Sequence, residues 1–93
     1  MKTWILCIDR AVANVFARDG KDGPTRLCYT LDSTHRSKHR FLKYIAEEME
    51  LACGCGTSND LIVCGEQDML QKLTNLFSHE VRSSIRGAIY TGS

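Results

Sequence analysis

Thr3-Trp4-Ile5-Leu6-Cys7-Ile8 is a near-continuous apolar run closed by the charged pair Asp9-Arg10. It is too short for a helix and lacks strict polar alternation, so it reads as a strand covered on both faces and central in its sheet. Working outward, residues 11–18 (AVANVFAR) carry Val12 and Phe16 around a weaker alternation with Asn14 and Arg18, the pattern of a second strand antiparallel to the first. Asp19-Gly20-Lys21-Asp22-Gly23-Pro24 is the strongest turn signal in the chain. After it, Leu27, Tyr29 and Leu31 alternate against Arg26, Cys28 and Thr30, which completes a three-stranded meander.

The second half has a different period. Phe41, Leu42, Ile45, Met49, Ala52 and Cys53 fall at helical spacing opposite Glu47, Glu48 and Glu50, which predicts a helix over 38–53 ending on Gly54 or Gly56. Leu61-Ile62-Val63-Cys64, between Asn59-Asp60 and Gly65, suits a buried parallel strand. Met69, Leu70, Leu73, Leu76 and Phe77 make a second helical stripe over 67–77, Ser78 is placed to cap a short turn holding Val81, and residues 85–91 read as a last strand weakened by Gly87. Hairpins in the first half and right-handed crossovers in the second give one mixed α/β sheet in the order 3-2-1-4-5, a meander followed by βαβαβ. This is the layout of ribonuclease H-like folds and of small translational-component domains, and residues 1–93 are expected to form one domain.

Composition agrees with a small globular domain: 43% hydrophobic and 25% charged residues exclude disordered, collagen-like and coiled-coil classes. A formal charge of +1 supplies no global field to attract nucleic acid or membrane, so any partner must be read from local patches. The longest apolar run is far short of the roughly 20 residues of a membrane span, so no membrane insertion and a cytoplasmic location are expected. Five cysteines are an odd number in apolar segments, which predicts reduced thiols, with Cys7, Cys28 and Cys64 as small core residues and Cys53 and Cys55 beside a helix exit. Cys53 and Cys55 with His35, His39 and His79 lack zinc-ligand spacing, and Gly65 has no glycine partners for a phosphate loop or dinucleotide fingerprint. No metal or cofactor is expected.

In this topology strands one and four end at one edge, beside the starts of both long helices, the usual ligand position of an open α/β sheet. The edge collects Arg10, the basic segment His35, Arg36, Lys38, His39 and Arg40, and Glu66; these are the candidate binding residues, and none is assigned as catalytic. Cations at a helix start oppose its dipole by roughly 0.3–1 kcal/mol each, while Glu47, Glu48 and Glu50 crowd the opposite end. Two charge clusters placed the wrong way round suggest that a partner supplies the compensation, a phosphate or acidic surface at the helix start. The enzyme alternative is a small hydrolase or nuclease built on Asp9 and Glu66. It needs a third carboxylate where Lys38, His39 and Arg40 stand, since Glu47 and Glu48 lie roughly 11–15 Å down the helix. A Cys64 thiol paired with His35 or His39 is the other nucleophilic arrangement, against which stands the usual packing role of a strand cysteine. Asp9 and Arg10 are expected to pair locally or cap the hairpin. The outer strand over 87–91 has the composition to pair with a copy of itself, so a homodimer is also an expectation.

Three motifs carry a family resemblance: W-I-L-x-x-D-R-A-x-A-x-x-F from Trp4 to Phe16, F-x-x-x-x-A-E-x-x-x-L-A from Phe41 to Ala52, and D-L-I-V-x-G-x-x-x-x-L-x-x-L from Asp60 to Leu73. On these the chain resembles the bacterial host-attachment protein family, which is in turn similar to the central domain of archaeal and eukaryotic peptide-chain release factors and of their ribosome-rescue relatives. The resemblance implies an α/β interaction module with a protein or ribosomal RNA partner. It does not imply peptidyl-tRNA hydrolysis, because the release-factor Gly-Gly-Gln tripeptide does not occur in this sequence.

Overall fold

The computed structural model describes residues 2–20, 23–33, 37–53 and 60–91. They form β1 (Lys2–Ile8), β2 (Val12–Asp19), β3 (Thr25–Asp32), α1 (Lys38–Cys53), β4 (Asp60–Gly65), α2 (Gln67–Leu76), α3 (His79–Ser83) and β5 (Ile85–Tyr90). The sheet order is β3-β2-β1-β4-β5, as the sequence pattern predicts. The β1–β2 and β2–β3 pairs are antiparallel, and the β1–β4 and β4–β5 pairs are parallel. Gly20, at φ 71, supplies the left-handed residue with which the β2–β3 turn begins. The glycines proposed to end α1, Gly54 and Gly56, lie outside the described residues, as does Cys55.

One face of the sheet holds the core. Leu6 of β1 pairs with Val15 of β2 and Val63 of β4, and Ile8 pairs with Ala13, so their side chains share a face. Against it α1 lays Phe41, Leu42, Ile45, Ala46 and Met49, and α2 lays Met69, Leu70 and Leu73, with Phe77 and Val81 closing one end. Leu6, Val15, Ile45, Met49, Leu61 and Leu73 are fully enclosed.

The other face corrects the expectation that β1 is covered on both sides. Its central row runs Leu27, Phe16, Ile5, Ile62, Gly87 across the five strands, and the next row runs Thr30, Asn14, Cys7, Cys64, Ile89. Ile5, Phe16 and Ile62 are half-buried by their strand neighbours, whereas Leu27 and Ile89 are each 56% exposed. No described helical residue packs there. The reason is topological: β3 to β4 and β4 to β5 are parallel crossovers that travel the same way across the sheet, and right-handed crossovers in one direction lie on one face.

The cysteines are corrected with it. Cys7 and Cys64 are half-buried on this open face, and Cys28 is exposed. Cys28 sits where the β2–β3 register shifts between Val15 and Phe16, so Leu27 turns to the open face and does not share the side of Tyr29 and Leu31.

Ser78 caps α3 as predicted, its Oγ accepting from the Val81 N–H at 3.3 Å. Its own N–H and O–H donate to Glu50 Oε1 and Oε2 at 2.7 and 3.0 Å. One of the three acidic groups near the end of α1 is thus compensated inside the protein, at the start of α3, and needs no partner.

Leu6→Ala should cost about 3 kcal/mol, whereas Ile5→Ala on the half-covered face should cost about 1 kcal/mol. Urea unfolding of the two variants measures the difference; equal costs would mean that both faces of β1 are covered.

Candidate functional site

The carboxyl ends of β1 and β4 come together through a glycine. A Cβ on Gly65 would stand 2.8 Å from Ile8 Cγ1 and 2.9 Å from the Ile8 carbonyl oxygen, so only glycine permits this approach. The Gly65 carbonyl accepts the Thr91 N–H at 2.9 Å, which ties the exit of β5 to the same corner. Gly65 therefore serves the joining of strand ends and not a phosphate loop.

Beyond Ile8 the chain reverses through Asp9. Its Oδ1 accepts the N–H groups of Ala11 and Val12, both at 2.8 Å, while its own N–H donates to the Val12 carbonyl at 2.9 Å. The carboxylate holds the hairpin in shape, the second of the two roles expected of it. Arg10, at the hairpin tip with its side chain 86% exposed, turns to the neighbouring strand end, with Nε 3.9 Å from Glu66 Oε2. At that distance and exposure the pair orients both side chains but adds little stability. Glu66 is also the N-cap residue of α2, yet its side chain makes no capping hydrogen bond, which leaves it for Arg10.

Ser37 begins α1: its Oγ accepts the Arg40 N–H at 3.3 Å and its carbonyl accepts the Phe41 N–H at 2.9 Å. A reciprocal capping box would place an acid three residues after the serine, but Arg40 stands there. The first turn holds no acid and the last turn no base, so the inverted charge arrangement is present in the folded helix. Lys38, His39 and Arg40 are all exposed.

Two recesses flank Lys38. One, of about 330 Å³, is lined by Arg10, Ser33, Lys38 and Met69, with Ser33 held to the hairpin by its N–H bond to the Ala11 carbonyl at 2.9 Å. The other, of about 440 Å³, runs between α1 and α2 and is lined by Lys38, His39, Leu42, Lys72, Asn75 and Leu76. Among the described residues neither Lys38 nor Lys72 has an ion-pair partner. The recess between the helices therefore has an apolar floor and a rim of cationic and neutral polar groups, with no carboxylate among the described residues.

Of the predicted residues, the fold gathers Arg10, Lys38, His39 and Glu66 at one edge. Arg40 lies on the same turn but lines neither recess, and His35 and Arg36 lie outside the described residues. Sequence reasoning did not find Ser37, Lys72 or Asn75. Ser37 was legible as a serine one residue before the helical period begins; Lys72 and Asn75 join the site only through the packing of α2 against α1. Among the described residues no three His, Cys, Asp or Glu side chains converge as metal ligands, and no described helix is long and apolar enough to cross a membrane.

This arrangement can be set beside known proteins. The structure of Archaeoglobus fulgidus Pelota matches 99% of this chain with a TM-score of 0.70 at 13% identity. An archaeal translation termination factor matches 99% with a TM-score of 0.70 at 14%, and Thermoplasma acidophilum Pelota matches 99% with 0.67 at 13%. The chain shares their fold. It spans 27%, 31% and 28% of those three chains, so it corresponds to one part of each. No family model matches the sequence, and no curated protein matches it. At these identities the likeness is one of fold.

Asp9→Ala should cost about 1–2 kcal/mol by removing the acceptor of two turn amides, and Asp9→Asn, which keeps an acceptor oxygen, should cost less than half of that. Thermal unfolding of both variants tests the turn role; equal losses would mean that the negative charge itself is needed at this position.

Proposed function

We propose that this chain is a non-enzymatic interaction module that docks on RNA of a ribosome-related partner through the edge carrying Arg10, Lys38, His39, Arg40 and Lys72. The observation that carries this reading is the first turn of α1, which holds three basic residues and no acid beside a groove whose rim holds a further lysine. A helix start attracts anions through its N–H groups and dipole, and cations there are unfavourable for the isolated fold. A phosphate backbone reverses the sign, since it pairs with the side chains and accepts from the helix amides together. RNA is favoured over a small anion because the cations are distributed along the edge from Arg10 through Lys38 to Lys72, the spread that tracks a backbone. The likeness in fold to a translation termination factor supports a ribosome-related partner.

The hydrolase alternative fits less well. Asp9 Oδ1 is occupied by turn amides, Glu66 faces Arg10, and the start of α1 presents bases where a third carboxylate belongs. His35 and Arg36, between Ser33 and Ser37 in the sequence, lie outside the described residues. Host attachment, which the sequence motifs imply, describes a consequence in the cell and is compatible with such a module.

Replacing Lys38 and Arg40 together by glutamine should leave the fold intact or raise its stability by roughly 0.3–1 kcal/mol per cation removed. The same variant should bind a structured RNA more weakly, with the slope of log affinity against log salt flatter by about 1 for each phosphate that is no longer neutralised. Lower stability with unchanged RNA affinity would mean that these side chains serve the fold and would overturn the proposed surface.

A further inference from the structure

Cys7 and Cys64 are register partners on the adjacent parallel strands β1 and β4. Neighbouring strands lie about 4.8 Å apart, inside the roughly 4.4–6.8 Å window of Cα separations that a disulfide accepts. Both side chains are half-buried and share the open face with Ile5 and Ile62. No element covers them from above among the described residues, so a small molecule can approach both sulfurs. Cys28, exposed on β3, is two strands from Cys7, about 9.6 Å by strand spacing, and cannot join the pair without moving the backbone.

We propose that Cys7 and Cys64 form a reversible dithiol modification site, oxidised to a cross-strand disulfide by exchange with a low-molecular-weight disulfide. The two sulfurs have different parts. Burial, with the neighbouring Cys64 sulfur adding to it, pushes the Cys7 thiol up to about 11, so Cys7 keeps its proton and Cys64 attacks first. The Cys64 thiolate displaces one half of the small disulfide, whose S–S bond breaks and whose leaving thiolate takes a proton from water. Cys64 is then a neutral mixed disulfide, and the part of the upward push on Cys7 that came from its charge is gone. Cys7 gives its proton to solvent and attacks the Cys64 sulfur, expelling the second small thiolate. Two protein thiols have been oxidised and one small disulfide reduced to two thiols, with electrons and protons balanced. In flat parallel register the Cβ atoms start at about the strand spacing, slightly beyond the roughly 3.5–4.5 Å a relaxed disulfide prefers, so the link stays readily reducible.

The sequence supplies a clean assay. Cleavage before each aspartate yields fragments 1–8 and 60–67, which carry Cys7 and Cys64 as their sole cysteines, while Cys28 falls in 22–31 and Cys53 and Cys55 together in 32–59. The folded full chain is treated with 2-hydroxyethyl disulfide, quenched in acid, alkylated, digested and weighed by mass spectrometry. The expected product is fragment 1–8 joined to 60–67, two hydrogens lighter than their sum, lost on treatment with dithiothreitol and displaced by scrambled pairs when the chain is oxidised in urea. In Cys7→Ser, Cys64 should instead stop as the mixed disulfide. The proposal is overturned if Cys28 becomes modified while 1–8 and 60–67 remain alkylated thiols, or if Cys64 is found joined to 32–59. Because the decisive arm uses the unaltered chain, it does not depend on the variant folding.

Discussion

Two crossovers that travel the same way across one sheet determine most of this molecule. β3 and β4 are parallel although two strands lie between them, and β5 continues in the same direction beside β4. Right-handed connections then put α1 and α2 on the same face, where the two helices pack against each other as well as on the strands. A single core results, built from Leu6, Val15, Leu61 and Val63 below and from Ile45, Met49, Leu70 and Leu73 above. The same arrangement delivers the ends of β1 and β4 and the starts of both helices to one edge, and it leaves the opposite face of the sheet to its own side chains.

The edge and the open face differ in how their groups are satisfied. At the edge, Gly65 allows β4 to meet Ile8, Asp9 locks the hairpin, and Glu66 orients Arg10, so the framework around the cations is internally bonded. The cations on α1 and α2 are not: Lys38 and Lys72 face a recess with no carboxylate among the described residues. At the far end of α1 one of the three acids is engaged within the chain, since Glu50 accepts two hydrogen bonds from Ser78. Glu50 at the far end of α1 thus has a partner within the chain, whereas Lys38 at its start has no ion-pair partner among the described residues.

How far the sequence reached follows from what each signal encodes. Sheet order was legible because the run around Ile5 marks a central strand and because turn chemistry and crossover handedness then leave one simple arrangement. The uncovered face was not legible. A strand half-buried by its neighbours and a strand buried under a helix carry the same apolar letters, and Ile5 and Leu6 look alike until the direction of the crossovers is worked through. Leu27, Tyr29 and Leu31 read as one alternating face, and only the register shift at Cys28 separates Leu27 from the other two. The convergence of Arg10, Lys38, His39 and Glu66 at one edge was legible because strand ends and helix starts meet there by topology. Lys72 and Asn75 required the packing of one helix on another, which no local pattern records.

The proposed RNA surface is the cationic edge and not the open face. Amide-resolved NMR during titration with a short RNA hairpin measures this directly. The account predicts a continuous set of shifted amides at Arg10, Ser33, Lys38, His39, Arg40, Glu66 and Lys72, with Ile5, Phe16 and Ile62 unmoved and the shifts collapsing as salt is raised. Shifts centred on Ile5, Phe16 and Ile62 with a silent edge, or shifts indifferent to salt, would contradict it.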